Sequence, residues 1–205
     1  VGLIKNIAFW ITGMTETIIL NRKRTPAIWI QENEPDIWAK TKYYINFSTY
    51  IMYRITGNLV DSVANQAGHF PINFRKRRWH TDNALKNIFD IPNRMLCKIK
   101  QPGEILGEIS KEISEITGIP SGIKLYASGT DKGSETIGTG CIANDIASIS
   151  YGTASSIEVT NAHYIEPETF LPAYPAPLPG LYQMEVQVYR GYWMVSWFIK
   201  EFANN

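Results

Sequence analysis

Ala127-Ser128-Gly129-Thr130-Asp131-Lys132-Gly133, followed by Tyr151-Gly152-Thr153-Ala154-Ser155-Ser156, is the stretch on which the reading of this chain turns. Ile123 to Ala127 reads as a short buried strand that delivers Asp131 at its end. A carboxylate so placed can orient a hydroxyl. A Gly-Thr turn opening another strand can hold phosphate on backbone N–H groups and a side-chain hydroxyl. Together the two segments point to phosphoryl transfer.

Working outward, Ser134 to Thr139 starts a helix behind Asp131. Ile146 to Tyr151 and Ser156 to Thr160 form a hairpin about Gly152-Thr153. Prolines at 167, 172, 175, 177 and 179 then punctuate a loop. Upstream, isoleucines at 105, 109, 113 and 116 fit a helical stripe, but Ile105 to Ile109 also fits a strand; we prefer a strand, then a helix from Lys111 ended by Gly118. Pro26 to Lys40 reads as a helix, a Glu-Pro turn and a second short helix. Tyr43 to Phe47 is strand-like, and Thr49 to Ile55 a helix capped by Ser48 or Thr49 and stopped at Gly57. Asp61 to Gly68 follows as a loop or short helix, and Thr81 and Asp82 cap another helix through Phe89. This alternation predicts a mixed α/β fold, with a change of character near Asn144 that marks a domain boundary.

With 205 residues the chain can bury a sizeable core, as one large domain or one and a half smaller ones. Twenty Lys+Arg against nineteen Asp+Glu give no global electrostatic reason to expect nucleic acid or an anionic membrane as partner. Cys97 and Cys141 form neither a disulfide framework nor a zinc motif, and a reducing cytoplasm suits them. Lys5 and Glu16 interrupt the apolar start, so neither a signal peptide nor a membrane span is read there. A first residue Val1 and an apolar run, Tyr192 to Phe202, just before Asn205 suggest a piece of something longer.

Several segments in order carry a resemblance: Ile28-Trp29-Ile30 to Asn33-Glu34-Pro35-Asp36-Ile37, Tyr53-Arg54-Ile55-Thr56-Gly57 with Asp61, Arg78-Trp79, and Pro102-Gly103-Glu104-Ile105-Leu106-Gly107-Glu108. They continue with Gly129-Thr130-Asp131, Gly138-Thr139-Gly140, Gly152-Thr153-Ala154-Ser155 and Gly191-Tyr192-Trp193. The chain resembles the FGGY carbohydrate kinases, most closely xylulokinase-like members, from about residue 24 to its end. The resemblance implies an actin-like ATPase fold of two ribonuclease-H-like domains that close on ATP, Mg²⁺ and a sugar or polyol. Residues 1–143 would be the later part of the N-terminal sugar-binding domain, and 144–205 the opening of the C-terminal ATP-binding domain. Asp131 matches the catalytic aspartate, Asp61 with Asn65 and Gln66 the sugar-lining segment, and Gly152, Thr153 and Ser155 a phosphate-binding turn. No residue of the chain is assigned as a metal ligand.

Two departures stand out: Ala154 sits where the family often has Ser, and Asp61 to Gly68 is a residue longer than in xylulokinases. The family's N-terminal Asp-x-Gly-Thr hairpin has no counterpart, so the isolated chain is expected to be inactive; a non-catalytic sugar-binding or interaction remnant is the alternative. A cytoplasmic location, and homodimerisation of a full-length enzyme, are further expectations the resemblance allows.

Other motifs read as local chemistry. Arg75-Lys76-Arg77-Arg78 beside Trp79 is a short basic run, read as a solvated strand or loop end rather than a nucleic-acid patch. Gly138 to Ala143 matches G-x-G-x-x-A without the preceding strand a dinucleotide site needs. Ser121 to Lys124 matches Ser-x-x-Lys without its companion motifs.

Overall fold

The computed structural model describes residues 13, 15–81, 88–168 and 171–203. Helices α1 (Thr15–Arg24), α2 (Pro26–Asn33) and α3 (Pro35–Lys40) follow one another at the start. Proline opens both α2 and α3, where its missing N–H and preset φ cost nothing. The expected break at Glu34-Pro35 is therefore present. Helix α4 (Phe47–Thr56) stops at Gly57, whose left-handed φ of 76° lets its N–H close on the Tyr53 carbonyl.

Strand β1 (Val60–Ser62) runs into a 3₁₀ turn, Val63–Asn65, and pairs in parallel with β4 (Lys98–Lys100), Asp61 facing Ile99. Between them β2 (Ile72–Asn73) and β3 (Arg78–Trp79) form a hairpin. Strand β5 (Ile105–Glu108) precedes α5 (Lys111–Thr117), as read from the sequence. Ser110 caps α5 by accepting from the Ile113 N–H, and Gly118 ends it. Strand β6 (Lys124–Tyr126) pairs antiparallel with β5 and leads to α6 (Asp131–Gly138).

The remainder is a four-stranded antiparallel sheet in the order β7 (Ala147–Tyr151), β8 (Ser155–Asn161), β10 (Tyr182–Val188) and β9 (Tyr174–Pro175), followed by α7 (Trp193–Phe202). The β7–β8 hairpin about Gly152-Thr153 is as expected. Its polarity is inverted relative to ordinary alternation. Ser156, Glu158 and Thr160 face inward against α6, while Ile149, Ile157 and Val186 stand on the exposed face.

Three local expectations are corrected. Tyr43 to Phe47 is irregular up to the start of α4, because Tyr44 packs on Trp38 and Phe70 and its N–H goes to the Met95 carbonyl rather than to a ladder. The residue before α4 is Asn46; the hydroxyls of Ser48 and Thr49 are drawn instead to Asp61. Strand β6 is not buried, since among the described residues it pairs with β5 alone and leaves Ile123 and Tyr126 exposed. Of the helix expected after Thr81, residues 82–87 lie outside the described residues.

The larger core cluster comprises Ala27, Phe70, Ile91, Met95 and Leu96, with Trp38, Tyr44, Trp79 and Phe89 packed around it. A smaller one, Val60, Leu106 and Ala127 with Met52, binds α4 to β5. That second contact is close enough that a Cβ on Gly107 would lie 2.7 Å from Thr56 Cβ and 2.8 Å from Asn58 Nδ2. Among the described residues no helix is long and apolar enough to cross a membrane.

Two substitutions test this packing. Met95→Ala opens a cavity in a fully enclosed position and is expected to cost about 2–5 kcal/mol. Gly107→Ala forces α4 from β5 and should cost about 1–3 kcal/mol. Both are read as a lowered urea midpoint at unchanged slope; a midpoint unmoved by Gly107→Ala would contradict the close approach.

Candidate active site

Asp131 occupies the first position of α6. Thr130 precedes it in extended conformation, and its hydroxyl accepts the Gly133 N–H at 3.1 Å, so the cap fixes the turn that presents the aspartate. Asp131 Oδ1 accepts the Lys132 N–H at 2.8 Å. A helix N-terminus favours a negative charge here.

The Asp131 side chain lies at a cavity of about 280 Å³ between α6 and the polar face of the sheet. Ala67, Lys132, Glu158, Gln183 and Glu185 are among its walls. Larger depressions run along β4 and β5, but Asp131 is not among their linings. Only Ala67 comes to the Asp131 cavity from the expected sugar-lining segment; Gly152 and Thr153 are not among the described residues that line it.

The cavity's charges are unevenly held. Glu158 and Glu185 stand directly opposite each other on β8 and β10. Glu158 is 4% exposed and accepts from the Thr136 and Ser156 hydroxyls. Burial first, and then the Glu158 charge, raise the Glu185 carboxyl above its ordinary range; Lys132 opposes the shift. The Lys132 ammonium donates to Glu135 at 2.7 Å and to Ser150 Oγ at 3.0 Å. It thereby joins the residue next to Asp131 to the strand that enters the Gly152-Thr153 turn.

That turn is exposed, with Thr153 at its tip. It is strapped from behind by residues 190–192. The Tyr192 N–H donates to the Gly152 carbonyl at 2.9 Å, the Ser155 hydroxyl donates to the Arg190 carbonyl at 2.7 Å, and a Cβ on Gly191 would overlap the carbonyl oxygens of Gly152 and Thr153. Ser155 is thus committed to the backbone, whereas the Thr153 hydroxyl has no partner among the described residues. A hydroxyl and a glycine backbone are a donor set that suits a phosphate.

Asp61 is 3% exposed and sits in a hydrogen-bond knot. Its carboxylate accepts from Thr49 Oγ1 at 2.6 Å, Ser48 Oγ at 3.1 Å, Gln66 Nε2 at 3.0 Å and the Ser62 N–H at 2.7 Å. Asn65 Nδ2 reaches it at 3.3 Å. Gln66 is equally buried and Asn65 is half-exposed. The Ser62 hydroxyl donates to the Ser128 carbonyl, which ties the knot to the loop carrying Asp131. Burial, with the nearby Asp61 charge, pushes the Cys97 thiol up to about 12, so it stays protonated at neutral pH. Among the described residues no group of three or more His, Cys, Asp or Glu is placed to hold a metal ion.

Sequence reasoning did not find Lys132, Glu158, Gln183 or Glu185 as cavity walls. A signal exists in the alternation Ser156, Glu158, Thr160 and Gln183, Glu185, Gln187, which puts polar groups at every second position of two paired strands.

Comparison with known proteins bears on this geometry. The chain is 29% identical over 82% of its length to an uncharacterized sugar kinase, YgcE, of Escherichia coli (strain K12), and 26% identical over 93% to a xylulose kinase of Lactococcus lactis. It spans 33% and 38% of those two relatives. Among solved structures, a ligand-bound xylulose kinase from Lactobacillus acidophilus matches 95% of the chain with 41% of its own, at a TM-score of 0.74 and 24% identity. A Plasmodium falciparum glycerol kinase with ADP matches 85% of the chain with 36% of its own, at a TM-score of 0.62 and 20% identity. These likenesses identify the fold as part of the actin-like ATPase fold of such kinases. The model of the FGGY family of carbohydrate kinases, N-terminal domain, matches residues 14–138, from α1 to the end of the helix that presents Asp131, and the chain belongs to that family.

Proposed function

We propose that the protein carrying this chain transfers the γ-phosphoryl group of ATP to a hydroxyl of a sugar or polyol, a xylulose-like ketose foremost. The observation that carries this is Asp131, fixed at a helix N-terminus beside a cavity and linked through Lys132 and Ser150 to the Gly152-Thr153 turn. The ketose preference draws on the xylulose kinases among the relatives. Residues 1–143 then belong to the sugar-binding domain and 144–205 open the ATP-binding domain, with α6 and the polar sheet face meeting across the boundary.

Bound ATP would supply the phosphoryl group, and Mg²⁺ would neutralise charge on its phosphates. Asp131 accepts a hydrogen bond from the acceptor hydroxyl and aims its oxygen at phosphorus. As the new O–P bond forms and the bond to the leaving ADP oxygen breaks, the hydroxyl proton passes towards the carboxylate. In a loose transition state that proton need not leave early, so orientation is the main contribution. Thr153 donates its hydroxyl to phosphate. Asp61 organises Asn65 and Gln66 in the sugar-binding segment.

The test is ADP release by the product of the complete reading frame over a panel of ketoses and polyols. Asp131→Asn should lower turnover by about 10²- to 10⁴-fold while acceptor binding persists. Turnover near that of the unsubstituted protein would sink the assignment. Thr153→Ala should raise the KM for ATP by about tenfold, the worth of one hydrogen bond to a charged group; an unchanged ATP dependence counts against the phosphate role.

A further inference from the structure

Asp131 is flanked by two glycines, and one proline fills the space their side chains would need. A Cβ on Gly129 would lie 2.6 Å from Pro177 Cγ and 3.2 Å from its Cδ. A Cβ on Gly133 would lie 2.9 Å from the same Cγ, 3.1 Å from Cδ and 3.0 Å from Gln183 Oε1. Both positions therefore exclude any side chain while the pyrrolidine ring is in place. Pro177 is buried, as are Pro175 and Ala176 before it. Its loop is anchored where the Ala176 N–H donates to the Leu181 carbonyl at 2.9 Å. Gln183 Nε2 adds a bond to the Gly133 carbonyl at 3.4 Å.

We infer that Pro177 is a positioning residue for Asp131: its ring is a wedge seated between Gly129 and Gly133 that fixes the backbone turn presenting the carboxylate. The role rests on the kinase reading of Asp131. The Thr130 cap holds the turn from within, and hydrogen bonds from Ser62 to the Ser128 carbonyl and from Gln183 to the Gly133 carbonyl hold it from outside; the ring adds the steric stop that those bonds lack. A proline suits the task because its φ is fixed and its ring has almost no rotamers to lose. The Pro-rich loop, irregular by sequence, thus has a specific place under the aspartate. Displacement of a reacting group by about 1 Å can cost about 10²-fold in rate, so a loosened turn should act on kcat more than on binding.

The experiment compares Pro177→Ala, Gly129→Ala and the double variant in the product of the complete reading frame. Pro177→Ala is expected to lower kcat by about 10- to 100-fold and to leave the acceptor KM within about threefold. Gly129→Ala should lower kcat at least as much, because its Cβ collides with the ring. The double variant removes the colliding Cγ and Cδ and leaves only Cβ, 3.4 Å away. It should therefore recover kcat above Gly129→Ala alone, a non-additivity that a general loss of stability does not give. Amide hydrogen exchange supplies a readout apart from activity. Residues 130–133 should exchange about tenfold faster in Pro177→Ala while those near Met95 do not change. Strictly additive effects on kcat, or unchanged exchange at 130–133 in an active Pro177→Ala protein, would overturn the wedge alone. Absence of phosphoryl transfer in the unsubstituted protein would overturn the kinase reading and this role with it.

Discussion

Helix α6 lies against the polar face of the four-stranded sheet, and the rest of the structure is arranged around that contact. An apolar seam would close by shape alone. A polar one closes only if each buried group finds a partner, since a buried unpaired hydroxyl or amide costs about 1–3 kcal/mol and a charge more. Here the partners are specific: Thr136 with Glu158, the Thr160 hydroxyl with the Cys141 carbonyl, and Gln183 with the Gly133 carbonyl. Directional bonds fix the helix in rotation as well as distance. That is why Asp131, at its first position, arrives at the cavity in one orientation.

The same seam explains the electrostatics. Carboxylates directly opposite on neighbouring strands repel, and Glu158 with Glu185 is such a pair. The native state keeps Glu185 at the cavity with its carboxyl raised, so it holds its proton more tightly than an unfolded chain would. Its contribution is therefore fully present below the ordinary carboxylate value and is lost as the pH rises from there through the raised one, where the fold must hold a charge that the unfolded chain gives to water. Lys132, the one cation among the described residues that line the cavity, eases the repulsion, yet its ammonium is also held by Glu135 and Ser150. One side chain both tempers the acidic wall and ties α6 to β7.

Much of this was legible where the determinants are local. Gly57 and Gly118 end helices because only the residue itself must reach a left-handed φ, and Pro26 and Pro35 open helices by the geometry of their own rings. Strand-then-helix from Ile105 and the hairpin at Gly152-Thr153 follow from spacing, whereas the helix expected from Ser134 starts three residues earlier, at Asp131 itself, because Thr130 rather than a later residue caps it. What was missed depended on residues far along the chain. Ser48 and Thr49 look like caps until Asp61 claims their hydroxyls. Tyr43 to Phe47 has strand-like residues, but Phe70 and Trp38 offer Tyr44 a better surface than a ladder does. The inner side of the sheet could not be chosen from alternation, because period fixes which residues share a face and not which face is covered.

The basic run shows the same limit from the other side. Four cations in sequence read as a solvated strand or loop end, and Arg75, Lys76 and Arg78 are exposed there, while Arg77 also sits over the Tyr182 ring at 4.1 Å and donates to the Gly180 carbonyl at 2.6 Å. Arg75 lies over Tyr164 at 5.2 Å, and its carbonyl accepts the Tyr182 hydroxyl. A guanidinium can do this because it stacks on a ring and donates in its own plane at once. The hairpin of β2 and β3 thereby grips the loop that ends in Tyr182 and carries Pro177. Gln101 adds a bond from its side chain to the Arg77 carbonyl, next to the Pro102-Gly103 turn. The loop beneath Asp131 is thus restrained at Gly180 to Tyr182 by the basic hairpin and at Pro177 by the glycines, and a rigid support under the aspartate requires both ends.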